Sequence, residues 1–280
     1  MAVPKGVLDA IRRAIARREA QLQGVVGQVS NAFDRLRRSL MGEIGALDTI
    51  GLTRMVNRLI ELLRSQTQTF ERDVNRAIQD AEPGLVVAGQ AVVDDPLVAA
   101  GLAVSAPDVT IPLLEALEQF RADRITNLSA SMIDQISLEL RLGAMGTKSV
   151  FDVIQSVASK LRTADAGDAG FGSLAARGEA IVRTELGRIH SMATQRRMEQ
   201  AVELFPDLMK EWRHSGNLLH PRDGHQALSG TRVPVKAKFM VAPTVGGSRE
   251  AMWFPHDPAA SARNTVRCRC TCVPWRASWA

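Results

Sequence analysis

The chain has no tyrosine, and its few aromatic residues make up only 4% of 280 positions. A core must therefore be built mainly from Leu, Ile, Val, Ala and Met side chains. Cysteine is also scarce, with three residues that all lie between positions 268 and 272. This pattern excludes a secreted disulfide framework and fits a reducing compartment. Because arginines such as Arg12 and Arg13 interrupt the first apolar residues, we expect no N-terminal targeting signal.

The sequence also lacks a long uninterrupted apolar run. Residues 84–117 are rich in Val, Ala and Gly and contain no basic residue, but acidic residues and prolines interrupt them repeatedly. A membrane-spanning helix needs about 20 consecutive apolar residues. We therefore predict buried loops and short helices here, or a surface that packs on a partner, and no stable membrane span. The alternative is a membrane-active segment.

A change in composition after residue 204 marks a domain boundary. From Phe205 onward, eleven Lys or Arg and five Asp or Glu give a net charge of +6, whereas the preceding residues carry −1. All four tryptophans and four of the five histidines also follow residue 204. We predict three segments: an extended helical arm with an apolar loop region (1–115), a helical domain (116–204) and a basic C-terminal module (205–280).

The net positive charge of residues 205–280 suggests a binding function. Clustered Lys and Arg attract nucleic-acid phosphates or an acidic protein surface, and the alternative is ordinary solvated charge. We expect DNA binding without sequence preference, through the side chains of Arg222, Arg232, Lys236, Lys238, Arg263, Arg267 and Arg269.

Hydrophobic periodicity predicts long helices before this segment. Apolar residues recur at spacings of three and four over residues 5–41, and again over 55–78 until Pro83-Gly84. These two helices would form a hairpin, which either packs internally or docks as an arm on a ring-shaped partner. Further helices are predicted over 113–142, 149–161 and 174–204. Ser149 is the expected N-cap of the second of these. The fold is therefore predicted to be mainly α, with a long helical N-terminal and middle region and a small C-terminal α+β module.

Glu185 lies on the apolar stripe of the last long helix, four residues from both Ile181 and Ile189. A carboxylate buried there needs a partner, because burying it alone is costly. We expect Arg183 and Arg188 to lie on other faces, so that a group from the C-terminal module supplies the partner. The alternative is a solvated Glu185 at the edge of the stripe.

The three cysteines alternate with other residues, so in an extended segment they would face one side. Thiolates and an imidazole can hold zinc, here through His225, Cys268, Cys270 and either Cys272 or His220. The usual two-residue spacer between zinc-binding cysteines is missing. We therefore favour packing and hydrogen bonding of the same side chains, with no cofactor, and zinc is the alternative. In both cases His225 has a structural role.

Short motifs follow one another through the second half of the chain: Arg183-Thr184-Glu185, Trp212, Ser215-Gly216, Arg222-Asp223-Gly224-His225, Leu228-Ser229-Gly230, Pro255-His256-Asp257-Pro258 and Cys268-Arg269-Cys270-Thr271. In this order, over about residues 120–275, the chain resembles the phage minor head proteins, also called the Mu F-like or head morphogenesis family. The structural residues that the resemblance implies are Arg183, Thr184, Glu185, Trp212, Arg222, His225, Gly230, Cys268 and Cys270.

The resemblance implies a bacteriophage virion protein without catalytic residues. Such a protein lies inside the capsid near the portal vertex and acts in head morphogenesis and in DNA packaging or ejection. The implied partners are the portal protein, DNA and other head proteins, and the host cytoplasm is its location during assembly. The alternative from the residues themselves is a metal-dependent nuclease that uses His220, Asp223 and His225 with the cysteines.

Overall fold

The computed structural model describes residues 3–103, 105–110, 114–162, 173–214, 222–243 and 248–279. Within these residues the helices are α1 (Lys5–Gly45), α2 (Thr49–Ala99), α3 (Leu114–Ala144), α4 (Val150–Lys160), α5 (Leu174–Leu204), α6 (Asp223–Ala227) and α7 (Ala262–Thr265). The strands are β1 (Met209–Arg213), β2 (Arg232–Pro234), β3 (Phe239–Val241), β4 (Glu250–Met252) and β5 (Thr271–Trp275). The predicted fold class, mainly α with a small C-terminal module that contains strands, is confirmed.

Local signals set several helix boundaries. The side chain of Ser149 accepts a hydrogen bond from the backbone N–H of Asp152 at 3.1 Å, so Ser149 caps α4 as predicted. The predicted bounds of α5 are also confirmed, since this helix runs from Leu174 to Leu204. The small-residue loop predicted at 163–173 falls mostly outside the described residues.

The prediction that Pro83-Gly84 ends the second helix is wrong, and so is the prediction of loops directly after it. Residues 102–103 and 105–110 belong to no helix or strand, as expected for a loop. Helix α2 continues through Pro83 and Pro96. A proline inside a helix costs about 3 kcal/mol, but burying one Val or Leu side chain contributes about 1.5–3 kcal/mol. Four such side chains after Pro83 are fully buried at helical spacings, and they outweigh the loss: Leu85, Val92, Val93 and Leu97.

The signal that ends α2 is a glycine further along the chain. Gly101 has a φ of +77°, the left-handed conformation that commonly follows a helix. The N–H of Leu102 donates to the carbonyl of Leu97 at 2.9 Å and thereby closes the last turn. Among the described residues, no helix combines the length and the apolar character that a membrane crossing requires.

The chain divides into two compact units. We call Val25–Asp80 with Ala116–Val182 the helical unit, and Met1–Gly24 with Ala81–Glu115 and Arg183–Ala280 the mixed unit. Helices α1, α2 and α5 each contribute to both, so the units do not coincide with the segments 1–115, 116–204 and 205–280.

The helical unit is held by packing between aromatic rings and small residues. The rings of Phe33 and Phe70 lie with their centroids 4.4 Å apart. Gly178 leaves room for Phe33, because a Cβ atom at position 178 would come 2.7 Å from that ring. Gly143 likewise leaves room for Leu52 and Val153. Small residues therefore let these helices approach closely.

In the mixed unit, α2 and α5 are in close contact. A Cβ atom at Gly89 would lie 2.7 Å from both the Ala193 side chain and the His190 carbonyl oxygen. One turn further, the guanidinium of Arg197 makes two hydrogen bonds to the carboxylate of Asp94, at 2.7 and 2.8 Å. This contact fixes the face of α5 that the C-terminal strands cover.

The strands form two small antiparallel sheets. The first has the order β2-β1-β5, with Glu211 opposite Arg232 and Trp212 opposite Cys272. The second is the pair β3-β4, with Phe239 opposite Met252. Their inward side chains, including Trp212 and Phe239, are fully buried. The first sheet thereby brings the segment that carries the cysteines beside Trp212.

The start of α1 also belongs to the mixed unit. Arg18 Nη1 donates to the carbonyl oxygen of Arg269 at 3.2 Å, and Arg183 Nη1 on α5 lies 3.4 Å from Glu19 Oε1. The part of α1 around Arg18 and Glu19 therefore contacts the C-terminal segment and α5. This part of the predicted arm thus contacts other residues of the same chain.

Candidate functional site

A buried histidine and two cysteines meet in the mixed unit. His225 Nδ1 lies 3.6 Å from Cys268 Sγ and 3.6 Å from Cys270 Sγ. Among the described residues, these three form the one group of His, Cys, Asp or Glu side chains close enough to share a metal ion, with ligand atoms within 4.8 Å of one another. We call them the His–Cys centre. The sequence prediction that these three side chains come together is confirmed.

Arg222 positions the short helix that carries His225. Its Nε donates to the carbonyl oxygen of Arg263 at 2.8 Å, and its Nη2 donates to that of Val266. These bonds hold the start of α6 against α7 and the turn that leads to Cys268. Gly224 is required here, because a Cβ atom at this position would overlap the carbonyl oxygen of Ala242.

The second ring nitrogen of His225 is fixed by a chain of polar groups. His225 Nε2 donates to Asn264 Oδ1 at 3.3 Å, because a carbonyl oxygen can only accept. The side chain of Asn264 is in turn hydrogen-bonded to the Glu250 carboxylate, whose pKa is lowered by bonds with Ser261 and with Asn264. The Asn264 amide group thus keeps its oxygen toward His225 Nε2.

Trp212 covers one side of the His–Cys centre. Its ring meets the His225 ring edge to face, with centroids 5.2 Å apart and an angle of 82° between the planes. The carbonyl oxygen of Trp212 accepts from the N–H of Gly230 at 2.8 Å. Gly230 has a φ of +83°, which favours glycine, so the Leu-Ser-Gly motif supplies a turn that holds Trp212 in place.

The Arg-Thr-Glu motif on α5 reaches the same region. Thr184 Oγ1 accepts a hydrogen bond from the backbone N–H of Arg267 at 3.2 Å, directly before Cys268. Arg183 contacts α1, with Nη2 3.4 Å from Gln23 Oε1. The motif therefore joins the cysteine segment to the helices.

Glu185 is buried and paired, but its partner differs from the predicted one. Its carboxylate accepts a hydrogen bond from Arg188 Nη1 at 2.6 Å, with both side chains about 3% exposed. The expectation that Arg188 lies on another face is wrong, since residues three apart are neighbours on a helix. The C-terminal segment contributes as well, because Arg188 Nε donates to the His256 carbonyl oxygen at 3.1 Å.

His256 connects this pair to the His–Cys centre. Its Nε2 donates to the carbonyl oxygen of Cys268 at 2.6 Å, and its backbone has a φ of 69°. Burial lowers the pKa of His256 to about 4, so the ring is neutral at pH 7. The sequence analysis quoted His256 within a motif but gave it no role. Its conformation, which is uncommon for a residue other than glycine, marks it as constrained.

The thiol groups of Cys268 and Cys272 differ in pKa. The pKa of Cys268 is held well below its usual value by a hydrogen bond from Cys270 and by His256 and His225, which together outweigh burial. Burial instead raises the pKa of Cys272 to about 12. The pKa thus moves down in Cys268 and up in Cys272.

Cys272 does not join the His–Cys centre, so the prediction that it could be a zinc ligand beside the other two is wrong. It lies on β5 opposite Trp212. Cys268 and Cys270 precede this strand, whereas pairing with β1 holds Cys272 in the sheet, outside the group that could share an ion. The other suggested ligand, His220, lies outside the described residues, as does Ser215-Gly216.

Several buried residues near the centre were missed by the sequence analysis. His190 on α5 is fully buried, and burial and Arg18 lower its pKa well below the usual value. Lys210 on β1 is also fully buried, and its Nζ donates to Gln195 Oε1 at 3.0 Å and to the Trp253 carbonyl oxygen at 2.8 Å. Burial lowers the pKa of Lys210 to about 8. No sequence motif marks either residue.

The predicted DNA-binding side chains are spread over the mixed unit. Arg232 bonds to Glu211 at 2.9 Å and stacks on Trp275, while Lys236 pairs with Glu203 at 2.8 Å. Four of the seven are exposed (Arg232, Lys236, Lys238 and Arg263), and three are half-buried (Arg222, Arg267 and Arg269). Arg222 is engaged by backbone carbonyls, so its main role here is structural.

Comparisons with protein-family models, with curated proteins and with solved structures give no match to this chain. The resemblance to the phage minor head proteins therefore rests on the motif residues. The geometry adds that these residues lie together: Thr184 beside Arg267, Trp212 beside His225, and His256 beside Cys268.

Proposed function

We propose that this chain is a structural protein of a bacteriophage virion. It lies inside the head, contacts the portal vertex and acts in head morphogenesis and in DNA packaging or delivery. The observation that carries the proposal is the convergence of its short motifs on one buried cluster. Motifs that matched by chance would have no reason to meet, yet Thr184 of the first motif bonds to the backbone of Arg267, which lies 83 residues along the chain and directly before the Cys-Arg-Cys motif.

The contacts link the motifs into one continuous network. Thr184 holds the residue before Cys268, and Cys268 accepts a hydrogen bond from His256. His256 accepts one from Arg188, which pairs with Glu185 of the first motif. Buried hydrogen bonds of this kind favour one arrangement of the segments that they join. This supports a common structural module as the reason for the motif order.

A structural role also agrees with the burial of the His–Cys centre. His225, Cys268 and Cys270 are 1–2% exposed. A nuclease must bring a phosphodiester within hydrogen-bonding distance of its catalytic groups. Asp223, named for that alternative, is exposed, whereas His225 on the same helix is buried. The structural role is therefore favoured over the nuclease.

The alternative of a membrane-active segment has less support. Residues 84–99 form the last turns of α2, and their largest apolar side chains are buried, including Leu85 and Leu97. Their insertion into a bilayer would require this part of α2 to leave α5, where Asp94 is paired with Arg197. The same turns are better explained as part of a folded unit.

Co-purification with the portal protein encoded in the same genome tests the proposal. The two chains are co-expressed with an affinity tag on the portal protein alone, and the eluted ring is separated by size-exclusion chromatography. We expect the full chain to elute with the ring and to cleave no DNA when Mg²⁺ or Mn²⁺ is added. A chain that never associates with the ring would contradict portal binding. Metal-dependent DNA cleavage that is lost in a folded His225→Ala variant would support the nuclease instead.

A further inference from the structure

We propose that the His–Cys centre binds one zinc ion, with His225 Nδ1, Cys268 Sγ and Cys270 Sγ as three of its four ligands. Water fills the fourth position. This metal site goes beyond the proposed function and does not depend on it. The sequence alone favoured packing without metal, because the spacer between the cysteines is a single residue.

The distances between the ligand atoms match tetrahedral zinc. Zinc lies about 2.3 Å from a thiolate sulfur and about 2.0–2.1 Å from an imidazole nitrogen. With tetrahedral angles these bond lengths place sulfur and nitrogen about 3.6 Å apart. His225 Nδ1 is 3.6 Å from Cys268 Sγ and 3.6 Å from Cys270 Sγ. Both sulfurs therefore lie at the distance from the nitrogen that a shared tetrahedral zinc ion requires, and all three ligand atoms are within 4.8 Å of one another.

The orientation of the His225 ring also suits a metal. Its Nε2 is hydrogen-bonded to Asn264 Oδ1 at 3.3 Å, and this bond turns Nδ1 toward both sulfurs. A cation between the three atoms would be bound by Nδ1 and both sulfurs together. Histidines that bind metals commonly donate their other N–H to an oxygen in this way.

The surroundings hold the three ligands in place. Asn264 is oriented by Glu250, and Arg222 ties the helix of His225 to the turn before Cys268. On the other side, the segment of the two cysteines is held by Thr184 and Arg18 through backbone atoms. Ligand orientation by such neighbouring contacts is what a binding site requires.

A zinc ion would also stabilise a segment that has few other crosslinks. The three cysteines form no disulfide, and the sheet of β1, β2 and β5 contains strands of only three to five residues. Zinc would join α6 to residues 268–270 across about forty residues of chain. Small modules commonly depend on such a crosslink, so the role of the ion is structural.

The test uses the full chain, produced in medium supplemented with zinc and purified without chelator. Zinc is measured by inductively coupled plasma mass spectrometry for the wild type and for Cys268→Ser, Cys270→Ser and Cys272→Ala. Cys272→Ala is the matched control, since Cys272 is a buried cysteine two residues from Cys270 but outside the centre. We expect about one zinc per chain in the wild type and in Cys272→Ala, the stoichiometry of one structural site. Both serine variants should lose most of it.

Cobalt substitution keeps the test decisive if the serine variants fail to fold. Wild-type protein that has exchanged its metal for Co²⁺ should show a thiolate-to-cobalt charge-transfer band and the intense visible bands of tetrahedral cobalt. Wild-type protein without zinc and without these bands would overturn the proposal. Equal zinc in the wild type and in both folded serine variants would also overturn it. Portal binding is measured separately, so either proposal can fail alone.

Discussion

The ring of His256 lies against the backbone of Gly187 on α5, so close that a Cβ atom at position 187 would come 2.8 Å from two ring atoms. This contact is where the C-terminal segment meets α5. His256 also donates to Cys268, so a shift of its ring is transmitted to the His–Cys centre.

Replacing Gly187 by alanine should therefore destabilise the mixed unit. Overpacking of this kind typically costs about 1–3 kcal/mol, which exceeds the gain of about 1 kcal/mol from alanine in a helix. Chemical denaturation measures the difference. Gly24→Ala is the control, because a Cβ atom at position 24 meets no atom within 4 Å, and it should stabilise the protein. Equal stabilisation by both substitutions would contradict the account.

The buried pair of Glu185 and Arg188 predicts a specific pattern in a double-mutant cycle. Replacing Glu185 by leucine leaves the Arg188 guanidinium without its buried carboxylate and should cost about 3–5 kcal/mol. Replacing Glu185 by leucine and Arg188 by methionine in the same protein should cost less than Glu185→Leu alone, because no buried charge remains. The free energy of unfolding is measured for all four proteins. Additive costs would show that the two side chains do not interact.

His190 predicts a dependence of stability on pH. Burial and Arg18 lower its pKa in the folded state well below the value of about 6.5 that it has when unfolded. The unfolded chain therefore binds a proton that the folded chain does not, and stability falls as the pH drops below about 6.5. In His190→Leu this contribution is removed. The unfolding free energy of His190→Leu minus that of the wild type should increase when the pH is lowered from 7.5 to 5. A difference that does not change with pH would contradict the assignment.

His225→Ala should unfold the C-terminal segment rather than remove a chemical step. His225 contacts both cysteines and Trp212, so its loss opens the core between α6 and β5. Hydrogen–deuterium exchange should show lost protection in β1 and β5 and unchanged protection in α3 and α4 of the helical unit. Gln226→Ala, on the exposed side of the same helix, should exchange like wild type. Wild-type protection in His225→Ala would contradict a structural role.

The basic residues of the C-terminal segment predict DNA binding that depends on salt. Each phosphate contact contributes a slope of about −0.9 to the plot of log binding constant against log salt concentration for duplex DNA. Lys238 and Arg263 are exposed, so changing both to glutamine should weaken binding for every DNA sequence and reduce that slope by about 2. Fluorescence anisotropy with two unrelated duplexes measures this. Salt-independent affinity, or none at low salt, would contradict the prediction.

Residues with strong local signals were predicted well from the sequence. Ser149 caps α4, and α5 has its predicted bounds, because caps and helical periodicity act over a few residues. Pro83 misled the prediction, since buried side chains after it contribute more than its helix-breaking cost. The actual end at Gly101 follows the usual glycine signal, but it lies beyond the proline.

The candidate site was predicted in part. His225, Cys268 and Cys270 were expected to meet, and Glu185 was expected to be buried with a partner. The partner, Arg188, was missed although it is three residues away on the same helix. Groups such as His190, Asn264 and Arg18 could not be found from sequence, because only the folded chain brings them to the centre.

The most direct test of the proposed function is the protein content of assembled particles. DNA-filled heads are purified from the phage that encodes this chain and are treated with protease. Quantitative mass spectrometry then compares the amount of this chain with the amount of the portal protein. The account predicts that the chain is present, protected inside the head, at a low and constant ratio to the portal protein. Its absence from heads, while it is abundant in the same infected cells, would contradict the account.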